Sequence, residues 1–440
     1  MKIAAMVVMT ACGIAASVAV AEPVKLAVLS KGAMSKMGGY RPQRLELSPE
    51  KPATIEKMPA GVTAPLFGVL TIGPKLEGAA GERQRVYHIV VDEPADGEAK
   101  LYVDSNGNGD LTDDAGAEWT STPYKDRDGN DFTQYAGAMT VELSGNGVTL
   151  PVHLGAYRFD PKEKSREALK NVLLYYADYG YEGEIDLGGV KYKAMVVDDM
   201  ATGDFRGAAP KASEGEAAGD GAEPESSGVR VLLDANGNGK FDARGEAFDI
   251  RRPFNIKGTT YEIAGMSALG DRFEVVKSAK TVAEIPTPPD HSVGKPITAF
   301  SATDLDGKAL AFPGDYKGKV VMLDFWATWC GPCMAEVPEL VEVNESFKGQ
   351  GFEVLGISLD SADSMETLKT CLTDNKMTWR QVFDGKGWKA AIADTYVIRG
   401  IPAAFLVDGD TGEVLAVGNE LRGDKLRATV EKAVAKKKGG

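Results

Sequence analysis

Two thiols stand three positions apart in Trp329-Cys330-Gly331-Pro332-Cys333, with only glycine and proline between them. The run before them, Val320-Val321-Met322-Leu323-Asp324-Phe325-Trp326, is short, apolar and rich in β-branched and aromatic residues, as a buried strand should be. The run after them, through Met334 to Leu340, reads as helix. Both cysteines therefore fall at a helix N-terminus, whose unpaired N–H groups and partial positive charge favour thiolate over thiol. One sulfur can attack a foreign disulfide and the other can close onto it. The segment reads as a dithiol/disulfide exchange centre in which Cys330 attacks and Cys333 resolves. Zinc is the competing chemistry, but Cys12, Cys371 and the scattered His88, His153 and His291 complete no second ligand pair. A purely structural bridge is disfavoured because so short a loop constrains the unfolded chain little.

The rest of the chain must position this centre. At 440 residues it exceeds one ordinary core, so several domains are expected. A formal charge of −14 argues against nucleic acid and against an anionic membrane surface. Lys2 opens an apolar, small-residue stretch from Ile3 to Val20 that ends Ala19-Val20-Ala21, the pattern of a secretory cleavage site, with Glu22 as the mature start. Loss of Lys2 with residues 1–21 would take the charge from −14 to −15. Met9-Thr10-Ala11-Cys12 matches a lipoprotein site less well, and an uncleaved stretch would act as an N-terminal membrane anchor. The expected location is extracytoplasmic, in a bacterium the periplasm. Three cysteines would remain there, two together and one single, which is no disulfide framework.

Residues 22–64 read as an extended lead-in, and 65–280 as a mostly-β region of short apolar runs broken by Gly, Asp and Asn. One helical candidate, Lys162 to Asp178, interrupts it. An internal repeat is expected there: Gly68–Gly73, Val86–Asp92 and Leu101–Gly109 resemble Gly183–Gly188, Tyr192–Asp198 and Val231–Gly239. The tract 208–227, rich in Gly, Ala, Glu and Pro, reads as a disordered insertion. Each repeat carries Asp-x-Asn-Gly-Asn-Gly after a strand, which offers a calcium ion several hard oxygen ligands and a sharp glycine turn. Asp104, Asn106 and Asn108 would serve one site, with the Asp110 carbonyl and Asp113 or Asp114 as additions; Asp234, Asn236 and Asn238 would serve the other, with the Lys240 carbonyl and Asp242 or Glu246. Ala115 and Gly245 occupy the place where an EF-hand has its bidentate glutamate, so these are not EF-hands, and an Asx-type turn is the alternative. Thr281 to Pro289 reads as a Pro-rich linker. Strands and helices alternate over 290–440, an α/β layered domain, ending in a frayed basic tail from Lys436.

That last portion resembles the TlpA/ResA-like branch of the thioredoxin superfamily. The likeness runs through Asp324-Phe325-Trp326-Ala327-Thr328-Trp329-Cys330-Gly331-Pro332-Cys333, Glu336-Val337-Pro338, Gly356-Ile357-Ser358-Leu359-Asp360, Gly400-Ile401-Pro402 and Phe405-Leu406-Val407-Asp408. The resemblance implies a thioredoxin-like fold and an exported thiol-disulfide oxidoreductase that acts on protein disulfide clients, is recharged by a membrane dithiol donor and needs no cofactor for its redox chemistry. It matches Pro402 to the family's cis-proline, with Ile401 offering backbone to an extended client, and Glu336 and Asp324 to acids kept near the thiols. Trp329 is expected at the client-facing rim and Trp326 in the core. Cys371 reads as a small buried hydrophobe. A peroxiredoxin would want Thr three positions before its cysteine, where this chain has Ala327. The rival class is a calcium-dependent binding or scaffold protein with an accessory redox domain.

Overall fold

The computed structural model describes residues 23–76, 83–95, 97–125, 129–145, 147–207 and 226–439. The expected leader at 1–21 lies outside them, as does the tract 208–227 apart from Ser226 and Ser227. Contacts divide the chain into two units, residues 1–233 with 246–285 and residues 234–245 with 286–440.

The first unit is built from antiparallel sheets. Gln43–Glu46, Val172–Ala177, Val148–Phe159, Asp131–Gly145 and Glu118–Lys125 lie side by side in one; Ala27–Leu29, Gly180–Leu187, Val190–Asp198, Val229–Leu233 and Ala247–Asp249 form another. Pro65–Leu76, Arg83–Asp92 and Lys100–Val103 make a three-stranded meander. Period-2 alternation explains these strands, and buried Met139, Val141 and Leu143 show one face of the longest turned inward. One expectation changes here. Of the helical candidate Lys162 to Asp178 only Lys164–Leu169 is helical, as a 3-10 turn, and Val172–Ala177 is a strand paired on both sides, because a β-branched and aromatic run follows the partners the sheet provides. The extended lead-in is tied down: Ala27–Leu29 and Gln43–Glu46 are edge strands, and the Asp178 carboxylate accepts the amides of Gly32 and Met34 at 2.9 Å each.

The second unit is α/β. A hairpin of β1 (Phe300–Thr303) and β2 (Ala309–Phe312) precedes β3 (Val320–Trp326), α1 (Gly331–Phe347), β4 (Phe352–Ser358), α2 (Met365–Asp374), β5 (Arg380–Phe383), α3 (Ala391–Thr395), β6 (Ala403–Asp408), β7 (Val414–Val417) and α4 (Lys425–Gly439). The sheet order is β5-β4-β3-β6-β7, with β3, β4 and β5 parallel and β6 and β7 antiparallel to their neighbours. Every residue of β3 is buried, as its continuous apolar run requires of a central strand. The tail does not fray at Lys436: α4 continues, and Lys437 Nζ pairs with Asp408 Oδ1 at 2.6 Å. Among the described residues no helix is long and apolar enough to cross a membrane.

Candidate active site

Strand β3 ends at Trp326, and the chain turns through Ala327-Thr328-Trp329 into α1. Cys330 is the N-cap residue of that helix and Cys333 lies in its first turn, where glycine and proline suit the entry. The two are joined as a disulfide, with Cα atoms 5.3 Å apart. The Cys333 amide donates to Cys330 Sγ at 3.2 Å, so a helix N–H points at the sulfur expected to attack. In front of the pair, the Ile401 carbonyl oxygen lies 3.7 Å from Cys330 Sγ and the Ile401–Pro402 bond is cis. Trp329 is 53% exposed and its ring centroid lies 5.9 Å from that of Trp388, also exposed, while Trp326 is buried.

Behind the pair, Asp324, Trp326, Cys333, Glu336, Pro402 and Arg422 line one small cavity. Asp324 projects into it from β3. Burial pushes its carboxyl up to about 7, the nearby Glu336 charge adds to that, and Arg422 opposes it. Glu336, a helix turn beyond Cys333, is also raised by burial, with Arg422 again opposing. An acid poised near neutrality beside a resolving thiol can take a proton and return it. Cys371 is half-buried, 3.8 Å from Met334 Sδ, with its thiol pushed up by burial, so it lacks the environment of a reactive cysteine.

Two residues of this site were given no role by the sequence, Asp360 entering only within the Gly356–Asp360 stretch of the resemblance and Arg422 not at all. Asp360, fully buried just beyond β4, accepts Thr328 Oγ1 at 2.6 Å and the Thr328 amide at 3.1 Å, which fixes the turn that presents the cysteines. Arg422 donates from Nη2 to the Pro402 carbonyl, and its Nε lies 3.6 Å from Glu336 Oε1. Gly356 on β4 is a further support: a Cβ there would meet Gln381 Oε1 at 2.0 Å, the oxygen that accepts Trp326 Nε1 at 3.0 Å.

None of the expected calcium residues is among those that line this cavity. In the first loop Asp104 accepts the amides of Asn108 and Gly109 at 3.0 Å each and pairs with His88 Nδ1 at 2.8 Å, while Asp110 pairs with Lys57. Asn106 Oδ1 accepts the Asn108 amide at 2.9 Å, and Asn108 Nδ2 donates to Asp113 at 2.9 Å. Asp114 accepts from Ser105, its other oxygen being buried without a partner. In the second loop Asp234 accepts the Gly239 amide at 3.0 Å through Oδ2, but its Oδ1 has no partner although the residue is only 7% exposed. Asn236 Oδ1 accepts the Asn238 amide at 2.9 Å, Asn238 Oδ1 accepts the Lys240 amide at 2.8 Å, and Asp242 is raised by burial. Among the described residues no three His, Cys, Asp or Glu side chains gather to hold a metal.

Known proteins match the second unit. Residues 293–416 fit the AhpC/TSA family. The thiol-disulfide oxidoreductase ResA of Bacillus thuringiensis subsp. konkukian is 32% identical over 144 residues, which is 33% of this chain and 78% of the relative. ResA of Bacillus anthracis is 33% identical over 140 residues, 32% of this chain and 78% of the relative. A crystal structure of the thioredoxin domain of a thiol-disulfide oxidoreductase from Bacteroides vulgatus is 36% identical and covers 32% of this chain and 98% of its own, with a TM-score of 0.29. Ala327, three positions before Cys330, is buried and carries no hydroxyl, unlike the threonine expected of a peroxidase site.

Proposed function

Because this chain belongs, through its C-terminal third, to the ResA thiol-disulfide oxidoreductases, we propose that its Cys330–Cys333 pair reduces disulfides of exported proteins outside the cytoplasm. One observation carries the reading: Cys330 caps a helix beneath an exposed tryptophan while Cys333 shares a cavity with two acids of raised pKa. In the reduced chain the Cys330 thiolate attacks one client sulfur. The client S–S bond breaks, a mixed disulfide forms and one client sulfur leaves as thiolate. Cys333 passes its proton to Asp324, with Glu336 as the relay toward solvent, and attacks Cys330. The second client sulfur leaves, so the client gains two electrons and two protons and the chain keeps the Cys330–Cys333 disulfide. Pro402 and Ile401 hold an extended client segment, with Trp329 against its side chains. A membrane dithiol donor restores the pair. The reducing direction and the donor follow the resemblance, and the export follows the Ala19-Val20-Ala21 pattern that ends residues 1–21. Reduction of insulin disulfides by the full chain with dithiothreitol tests the reading; turnover at the uncatalysed rate would sink it.

A second reading concerns calcium. The two Asp-rich loops form matching turns after antiparallel strands, which supports the reading of a repeat over 65–280. In the first loop His88 and the Lys57 ammonium already serve the carboxylates. In the second, Asp234 Oδ1 is a buried anionic oxygen without a donor, and an oxygen-preferring cation held with Asn236, Asn238, Asp242 and the Lys240 carbonyl would supply its partner. Calorimetry with calcium chloride on the full chain tests this: heat lost in Asp234→Asn and kept in Asp104→Asn supports it, and no heat in the parent rejects it.

A further inference from the structure

We propose that Arg422 is a positioning residue that holds Glu336 in place behind Cys333 and balances the charge of Glu336 and Asp324, so that these acids can accept the Cys333 proton. The proposal rests on the exchange reading above. Arg422 stands between the short turn Gly418–Leu421 and α4, nearly ninety positions after the cysteines, yet its side chain reaches both halves of the centre. Nη2 donates to the Pro402 carbonyl on the client side, and Nε faces Glu336 Oε1 at 3.6 Å on the first turns of α1. One guanidinium therefore ties the loop before β6 to the helix that carries both sulfurs.

The charges facing the cavity are few. Asp324 comes from β3, Cys333, Glu336 and Glu339 come from α1, and Arg422 is the one cation among the described residues that line it. Three carboxylates and a developing thiolate would otherwise crowd a partly dry space, and like charges there push each proton affinity up. Arg422 acts on Asp324 and Glu336 in the opposite sense. It does so through a planar fork that a lysine cannot reproduce, because one group must meet a carbonyl and a carboxylate at once. Without it, Asp324 would hold its proton to higher pH, and fewer molecules at pH 7 would carry the carboxylate that accepts the proton of Cys333.

The test is single-turnover reduction of a disulfide-linked fluorescent peptide by the reduced full chain, followed across pH for the parent, Arg422→Gln and Arg422→Lys. In Arg422→Gln the midpoint of the acid limb should rise by about one pH unit. Arg422→Lys, which keeps the charge, should hold the parent midpoint with slower turnover. Coincident midpoints in the parent and Arg422→Gln overturn the proposal, as does an equal rise in both variants, which would mark packing and not charge. Should Arg422→Gln lose its far-ultraviolet dichroism, Arg422→Lys decides: it should keep the parent midpoint, and a rise of about one pH unit in that charge-keeping variant overturns the proposal. A parent that fails to cleave the peptide, with Arg422 intact, counts against the exchange reading and not against Arg422.

Discussion

The cysteine turn and the Asp-rich loops are equally conspicuous as sequence, but they differ in what surrounds them. Cys330 and Cys333 meet partners drawn from β3, α1, the Pro402 loop and the segment before α4, so groups from distant parts of the chain converge on the sulfurs. The loops at Asp104 and Asp234 take most of their hydrogen bonds from their own amides, with His88 and Lys57 added at the first and one oxygen of Asp234 left without a partner at the second. A motif with its own hydrogen bonds specifies a turn. Chemistry needs distant groups converging on it.

The predictions bear on that contrast. Cys330→Ser should reduce insulin turnover to the uncatalysed rate and leave calcium calorimetry unchanged. A loss of both would join the two regions functionally and break the comparison.

Asp324→Asn comes next. At pH 7 it should slow release from the mixed disulfide by about 100-fold and flatten the acid limb of the rate profile. Its effect on stability has the opposite sign. The folded carboxyl keeps its proton up to about 7, whereas the unfolded one loses it near 4, so stability falls as pH rises between those values and levels off above them. Asp324→Asn removes that slope and should raise stability at pH 8 by about 2–4 kcal/mol while leaving pH 4 nearly unchanged, as urea denaturation at the two pH values would show.

Arg158→Met probes the other region. Arg158 is 1% exposed and grips Glu93 at 2.6 and 3.0 Å and the Val172 carbonyl at 3.1 Å. Removing it strands the Glu93 carboxylate and should cost about 3 kcal/mol in the denaturation of the β-rich unit, with insulin turnover unchanged. Trp329→Ala should have the smallest effect, raising KM for insulin by about 3–10-fold with kcat little altered.

The residues that sequence could place are those whose role is local. The apolar run of β3, the Gly-Pro entry to α1 and the alternating strands of the β-rich unit carry their own periodicity, and they folded accordingly. Val172–Ala177 misled because a short apolar run suits helix or strand until its neighbours are known. Asp178 anchors the lead-in across more than 140 positions, and Asp360 and Arg422 reach the centre from β4 and from beyond β7. Nothing in the types or spacing of those residues announces such contacts, since they exist only once the sheet order brings the segments together.

The central claim is tested most directly by incubating reduced Cys333→Ser, as the full chain, with an oxidised protein and mapping the adduct by mass spectrometry. The account predicts a stable mixed disulfide through Cys330 that dithiothreitol releases. No adduct, or an adduct confined to Cys371, would contradict it.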